Sequence, residues 1–476
     1  MNRLSPEVAL CVLERVDALT LPVLRCVSLW CLDLVDLLRL RYKRAAHSVE
    51  STDAGHVCTF RARCATRYAL TMIELGRWGL LEWMQDLTAG NVYAPADLRR
   101  SACARAASDG DLERLRIYSG RCVQSHAYKH AARYGHLHVL EWVLSVDTFV
   151  KYDGCRWIAK GGHLHALQWA LSRGFAKHPE VCTHAARHGH SALLKWAHDN
   201  GFPWSTGTCA AAAAWGDLET LQWLRASGCP WDWTTCTHAA EYGHLHVIEW
   251  AHSQGCTMDV TVCSRAAKSG HLHVVKWARA RGCPWGAWTC ANAAEAGHLA
   301  LLQWARENGC PWDARACSRA VRGGHLHILE WLRTNGCPWD AGTCDEAATR
   351  GRLDVLQWAR MNGSPWDTHL VLCAAGEGHV EILEWAYANG CPMIDPTHHA
   401  ASCGHLNVLE WATTKGFPLD ASLYLKAAAR GHLSILRWLR AKDCPMPERP
   451  SLLVDISAHP VICDWFGQEY AKEVQP

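Results

Sequence analysis

The side chains with the most chemistry in this 476-residue chain are its 29 histidines and 25 cysteines. Such numbers could serve metal ligation, nucleophilic attack or disulfide cross-linking, and each of these needs its own pattern. Sixteen of the cysteines fall into two columns. Cys103, Cys182, Cys209, Cys236, Cys263, Cys290, Cys317 and Cys344 each stand three residues before an alanine, and Cys155 three before Ile158 in the same slot. Cys229, Cys256, Cys283, Cys310, Cys337, Cys391 and Cys444 stand in Gly-Cys-Pro turns and their variants, where Phe175, Phe202 and Phe417 take the same slot. Phenylalanine can fill an apolar slot but neither ligates metal nor bonds to sulfur. The cysteines therefore read as small buried hydrophobes of a reducing compartment.

Ten of the histidines follow a recurring glycine: His136, His163, His190, His244, His271, His298, His325, His379, His405 and His432. Asp111, Asp217 and Arg352 hold the same slot elsewhere, and no ligand set has zinc-finger spacing, so the expected role is structural capping, with no metal and no cofactor. Pairs such as Cys182 and His184 recur too regularly to mark one nucleophile, and no catalytic residue is assigned. A row of turn tryptophans (Trp204, Trp231, Trp285, Trp312, Trp339 and Trp366) could anchor a partner, but packing between adjacent loops is the preferred reading.

These columns exist because one 27-residue unit runs through most of the chain. Its glycine returns at Gly135, Gly162, Gly189, Gly216, Gly243, Gly270, Gly297, Gly324, Gly351 and Gly378, and after one 26-residue step at Gly404 and Gly431. A fixed period of this size predicts a stack of helical units rather than a globular core. In the copy at 236–255, a short helix with Ala239 and Ala240 at its middle ends at Gly243. A second helix carries Leu245, Val247, Ile248, Trp250 and Ala251 and ends at Gly255. A Gly-Cys-Pro-Trp-Asp turn such as 228–232 reverses the chain, and its aspartate can cap the next helix.

Net charge is only +2 with both signs interspersed, which argues against a general nucleic-acid binder. No apolar run approaches the ~18 residues of a membrane span, and the N-terminus has no secretory pattern. Weaker copies at Gly76 and Gly110 bring the count from Gly76 to Gly431 to about fourteen units. The segment 444–476 reads as a degenerate capping repeat.

The pattern C-x-x-A-A-x-x-G-H-L-x-x-L-x-W resembles the ankyrin repeat, matching its A-A-x-x-G-H-L core at Ala239, Ala240, Gly243, His244 and Leu245. Against the usual ankyrin unit of about 33 residues the shortening falls in the turn. The resemblance, over about 76–465, implies an all-α ankyrin-type solenoid with trimmed hairpin loops. Short Trp-rich units of this kind look like the ankyrin proteins of giant DNA viruses of amoebae.

Residues 1–45 do not repeat and resemble an F-box, through Leu4, Pro6, Glu7, Val8, Leu13, Val16, Asp17, Leu21, Leu24, Val27 and Trp30. The other reading of this segment is a helical cap for the array. Residues 46–75 read as a linker and 76–443 as the repeat array.

The two resemblances imply a non-enzymatic adaptor whose repeats bind a target protein and whose F-box recruits a Skp1-like subunit of a cullin ubiquitin ligase. The alternative is a plain scaffold or sequestering protein. Ankyrin proteins bind through first-helix side chains, which here include His184, Arg187, Arg265, Lys268, Glu295, Arg319, Arg322, Asp345, Glu346 and Arg350. These vary from unit to unit, as either a tailored or an unconstrained surface would. A monomer in the cytoplasm (of a host cell, if viral) or nucleus is expected, without nucleic-acid or membrane partners.

Overall fold

The computed structural model describes residues 96–118, 124–146, 152–447 and 460–474. The F-box-like segment 1–45, with Leu4 to Trp30, the linker 46–75 and the weak copy at Gly76 lie outside the described residues. The described residues form 27 helices and no strand, from Ala96–Asp109 to Pro460–Val474. The chain divides into two compact units, Met1–Ala176 and Lys177–Pro476.

One repeat explains the rest. In the second unit, Asp232 precedes the first helix Trp233–Glu241, and its carboxylate accepts the backbone N–H of Thr234 at 2.9 Å. That bond satisfies one of the amides a helix start leaves unpaired. The helix ends at Gly243, whose φ of 80° is left-handed, and His244 N–H donates back to the Ala239 carbonyl at 2.9 Å. The second helix, Leu245–Ser253, ends at Gly255 with φ 84°, and Cys256 N–H returns to the Ala251 carbonyl at 3.0 Å. Glycine visits this region without steric penalty. In the last full repeat the second glycine's slot holds Asp443, at φ 53°.

Helices of nine residues hold poorly alone, so each must be stabilised by its neighbours. Within the second unit each first helix packs on the first helices before and after it and on its own second helix. Cys236, Ala239 and Ala240 make the close approach possible, and all three are completely buried. On the second helix the buried stripe is Val247, Ile248 and Ala251, while Leu245 and Trp250 are only half-buried. The apolar wheel is thus wider than the face actually sealed from water. Full burial of a Val or Ile is worth about 1.5–3 kcal/mol, and each repeat contributes such a pair.

At the C-terminal end the 15-residue helix Pro460–Val474 stacks Trp465 and Phe466 against Tyr424, with ring centroids 6.3 and 6.4 Å away. Pro460 opens this helix, a position where its missing N–H costs nothing.

Candidate functional site

Most of the chemistry-bearing side chains are consumed by contacts between repeats. The histidine after each glycine occupies the N-cap position of the second helix, yet its side chain makes no cap bond at His163, His190, His244, His271 or His298. Only the aspartate variant caps its own helix, Asp217 accepting from Thr220 N–H at 2.9 Å. The histidine ring instead caps the end of the preceding repeat's first helix. Nε2–H donates to the carbonyl two residues before that repeat's glycine, His136 to Ser108 at 2.8 Å, His244 to Ala214 at 3.1 Å and His432 to Ser402 at 3.0 Å. In the same rings' path, a Cβ on Gly243 would meet the His271 imidazole at 2.8 Å. A second histidine two residues later donates to the glycine carbonyl, as His246 does to Gly216 at 3.1 Å and His273 to Gly243 at 3.2 Å.

These bonds satisfy helix-end carbonyls that glycine termination leaves exposed. Burial pulls the pKa of His244 below its ordinary value, opposed by the Ala214 carbonyl and assisted by His246. Burial and then His273 do the same at His271. Both rings are therefore neutral at pH 7 and suited to donate one proton.

The cysteines of both columns are buried and free. A column cysteine meets the turn position 20 residues on, so that Cys263 and Cys283 lie 3.9 Å apart, sulfur to sulfur. Phe175 and Phe202 are buried in the same slot beside Cys155 and Cys182, and Ser364 accepts a bond from Cys344 at 3.4 Å. Burial pushes the Cys155 thiol up to about 12 and the Cys391 and Cys444 thiols up to about 11, which keeps them protonated and inert. No group of three or more His, Cys, Asp or Glu side chains able to hold a metal occurs among the described residues.

The turn tryptophans pack on the second-helix tryptophan of the following repeat, edge to face. Trp231 lies 5.7 Å from Trp250 and Trp366 lies 5.6 Å from Trp385, centroid to centroid. An arginine covers the other side, Arg306 over Trp312 at 3.9 Å and Arg333 over Trp339 at 4.0 Å. The same guanidinium groups donate to the turn carbonyls of Cys310 and Cys337, at 2.6 Å each. Packing is the role these tryptophans have here, against a helix and an arginine rather than a neighbouring loop.

The first-helix face carries charged side chains, and many are paired among themselves. The rule is a spacing of 24 residues: Glu241 with Arg265 at 3.3 Å, Glu295 with Arg319, Arg322 with Glu346 at 2.8 Å, and Asp345 with His369 at 2.9 Å. Arg350 joins Glu346 from the same helix at 3.1 Å. Burial raises the Glu346 pKa less than its two arginines lower it, so the carboxyl sits below the usual range. Asp345 is shifted the other way, upward by burial, with His369 only partly offsetting it. His184 lies 3.7 Å from Glu180. Arg187 and Lys268 are exposed and have no acidic partner among the described residues. Of the ten face residues, then, the structure joins Arg265, Glu295, Arg319, Arg322, Asp345, Glu346 and Arg350 into rungs and leaves Arg187 and Lys268 apart. The rungs were in the sequence as complementary charges 24 residues apart, a signal that single-position variability conceals.

The geometry defines a helical repeat protein whose units pack on one another through these contacts. Residues 290–333 match the family model described as ankyrin repeats (many copies), and this span begins on the column cysteine Cys290. The repeats are ankyrin-type and the fold is an all-α ankyrin-type stack. No curated protein matches the chain. Among solved structures it is similar to the human ASB11 ankyrin repeat domain, at 20% identity over 33% of this chain and 83% of that one, with a TM-score of 0.27. It is also similar to the maize pentatricopeptide repeat protein PPR10, at 13% identity over 86% of this chain and 78% of that one, with a TM-score of 0.31. No described helix is long and apolar enough to cross a membrane.

Proposed function

We propose that this chain is a non-enzymatic adaptor whose first-helix face grips a target protein and whose residues 1–45 dock a Skp1-like subunit of a cullin ubiquitin ligase. Ankyrin repeats are protein-interaction scaffolds, and the observation that supports the first half is a division of labour within each repeat. Second helices, glycines, histidines, cysteines and turn tryptophans recur and are used up in packing. First-helix side chains change from repeat to repeat and include exposed aromatic groups, Trp215, Trp233, Tyr242 and Trp288. The F-box half rests on the resemblance of residues 1–45, and its effect would be to raise the local concentration of target beside the ligase.

Two measurements test the halves separately. A photo-reactive benzoylphenylalanine placed at Trp215 or Arg322 should cross-link a protein in cells, while one at Glu249, exposed on a second helix, should not. Equal cross-linking at all three sites defeats the face assignment. Affinity purification of the full chain should bring down Skp1, and a 46–476 version should lose it. If neither recovers Skp1, a plain scaffold is what is left.

A further inference from the structure

The 24-residue rungs let one ask where a rung is missing. The second-to-last position before the glycine pairs with the next repeat's residue 24 further on, as Glu241, Glu295 and Arg322 do. At Arg187 the residue 24 further on is Ala211, which is buried and carries no charge. At Lys268 it is Asn292, whose amide donates to the Ser264 carbonyl at 3.1 Å instead. Both cations therefore lack the carboxylate that Glu346 supplies to Arg322. Two acids of the same face are engaged already, Glu180 by His178 and His184, and Glu241 by Arg265 and His238.

Two aromatic side chains stand between these cations. Trp215 and Tyr242 end the first helices of the two intervening repeats and are 54% and 59% exposed. The Trp215 ring lies over Gly189, two residues past Arg187, and Tyr242 stacks on the His244 ring, which itself lies over Gly216. The imidazole over Gly243 is that of His271, three residues past Lys268. Arg187, Trp215, Tyr242 and Lys268 thus form one row along the C-terminal ends of four consecutive first helices.

We infer that this row binds an extended acidic peptide segment of a protein partner, with carboxylates near each end and two apolar side chains between them. This rests on the adaptor reading and adds the partner's chemistry to it. The partner's acids complete the two missing rungs, and its apolar groups cover Trp215 and Tyr242. Three helix-to-helix steps of about 8–10 Å separate the cations by roughly 24–30 Å, or about eight or nine residues of extended chain at ~3.3 Å each. A single-stranded nucleic acid fits less well, since it would bring a phosphate at nearly every step to a row with two cations.

The test uses the full chain and a fluorescein-labelled decapeptide, Glu-Glu-Ser-Leu-Ser-Leu-Ser-Ser-Glu-Glu, read by anisotropy. Binding should weaken at least tenfold when the glutamates become glutamines and at least fivefold in Trp215→Ala. Arg187→Glu with Lys268→Glu should abolish it and create binding to the same peptide carrying lysines. These positions are exposed, and an unchanged thermal melt checks that each variant folds. Asn292→Glu offers a gentler check, since it supplies Lys268 with an internal acid and should weaken the peptide several-fold.

Equal binding of the glutamate and glutamine peptides, no binding of either, or tighter binding of a ten-nucleotide oligothymidine overturns the inference. If benzoylphenylalanine at Arg322 still captures a protein while the decapeptide fails, the adaptor reading stands and this one falls.

Discussion

Two stretches of the same face, 187–268 and 295–369, carry similar residue types and use them in opposite ways. In the second, Glu295, Arg319, Arg322, Asp345, Glu346 and His369 answer one another across repeats. In the first, only Glu241 and Arg265 form such a rung, and Arg187 and Lys268 are left unanswered beside exposed aromatic rings. The difference teaches that a charge on a repeat face is not thereby available to a partner. Availability depends on the residue one repeat away.

The sharpest way to test the comparison is first to disturb what the two stretches share. Gly216→Ala and Gly297→Ala put a methyl group against His244 and His325 at backbone φ values of 83° and 86°. Each should cost about 2–4 kcal/mol, combining left-handed strain with overpacking. Chemical denaturation should give both losses within about 1 kcal/mol of each other, as expected for repeats with the same backbone and ladder. A large inequality would mean that the stretches differ in more than side-chain pairing.

Glu346→Ala attacks the paired stretch alone. It strands Arg322 and Arg350 around a side chain that is only 12% exposed, and should lower stability by about 1–2 kcal/mol. Lys268→Ala, with no ion pair to lose, should stay within about 0.5 kcal/mol of the parent. If the melting temperature of Glu346→Ala equals that of Lys268→Ala, the rungs contribute nothing.

A smaller effect comes from acid. His244 and His271 have pKa values lowered in the folded state, so the unfolded chain binds more protons below about pH 6.5. Stability should be constant above that pH and decline as pH falls through 6.5 toward the lower folded values. Thermal melts between pH 7.5 and 5 should show this decline, flattened in a His244→Gln, His271→Gln double variant. An unchanged slope would remove the ladder as its cause. The smallest effect is expected of Asn292→Glu, about 0.5 kcal/mol or less in stability because the new pair is exposed, measured alongside its loss of peptide binding.

Much of the fold was legible because its signals are local. Gly243 and Gly255, the capping Asp232 and the Ala239, Ala240 pair announce helix ends and a tight interface within a few residues of chain. The candidate site was less legible. Ten face residues could be named, but nothing at any single position separates Arg319, held by Glu295, from Lys268, held by nothing acidic. The helix that each histidine caps was hidden for a related reason. His244 occupies a cap position by sequence, while its ring bonds to Ala214, 30 residues earlier.

The sequence by itself determined the period, the helical class and the points where each helix stops, since these follow from φ preferences and hydrogen bonds that span four or five residues. Tertiary structure alone decided which side chains meet: imidazole on the previous repeat's carbonyl, tryptophan on the next repeat's tryptophan, carboxylate on the guanidinium 24 residues away. Those meetings depend on how far one repeat is shifted and turned against the next. That displacement is set by the whole packed interface and by no single residue in it.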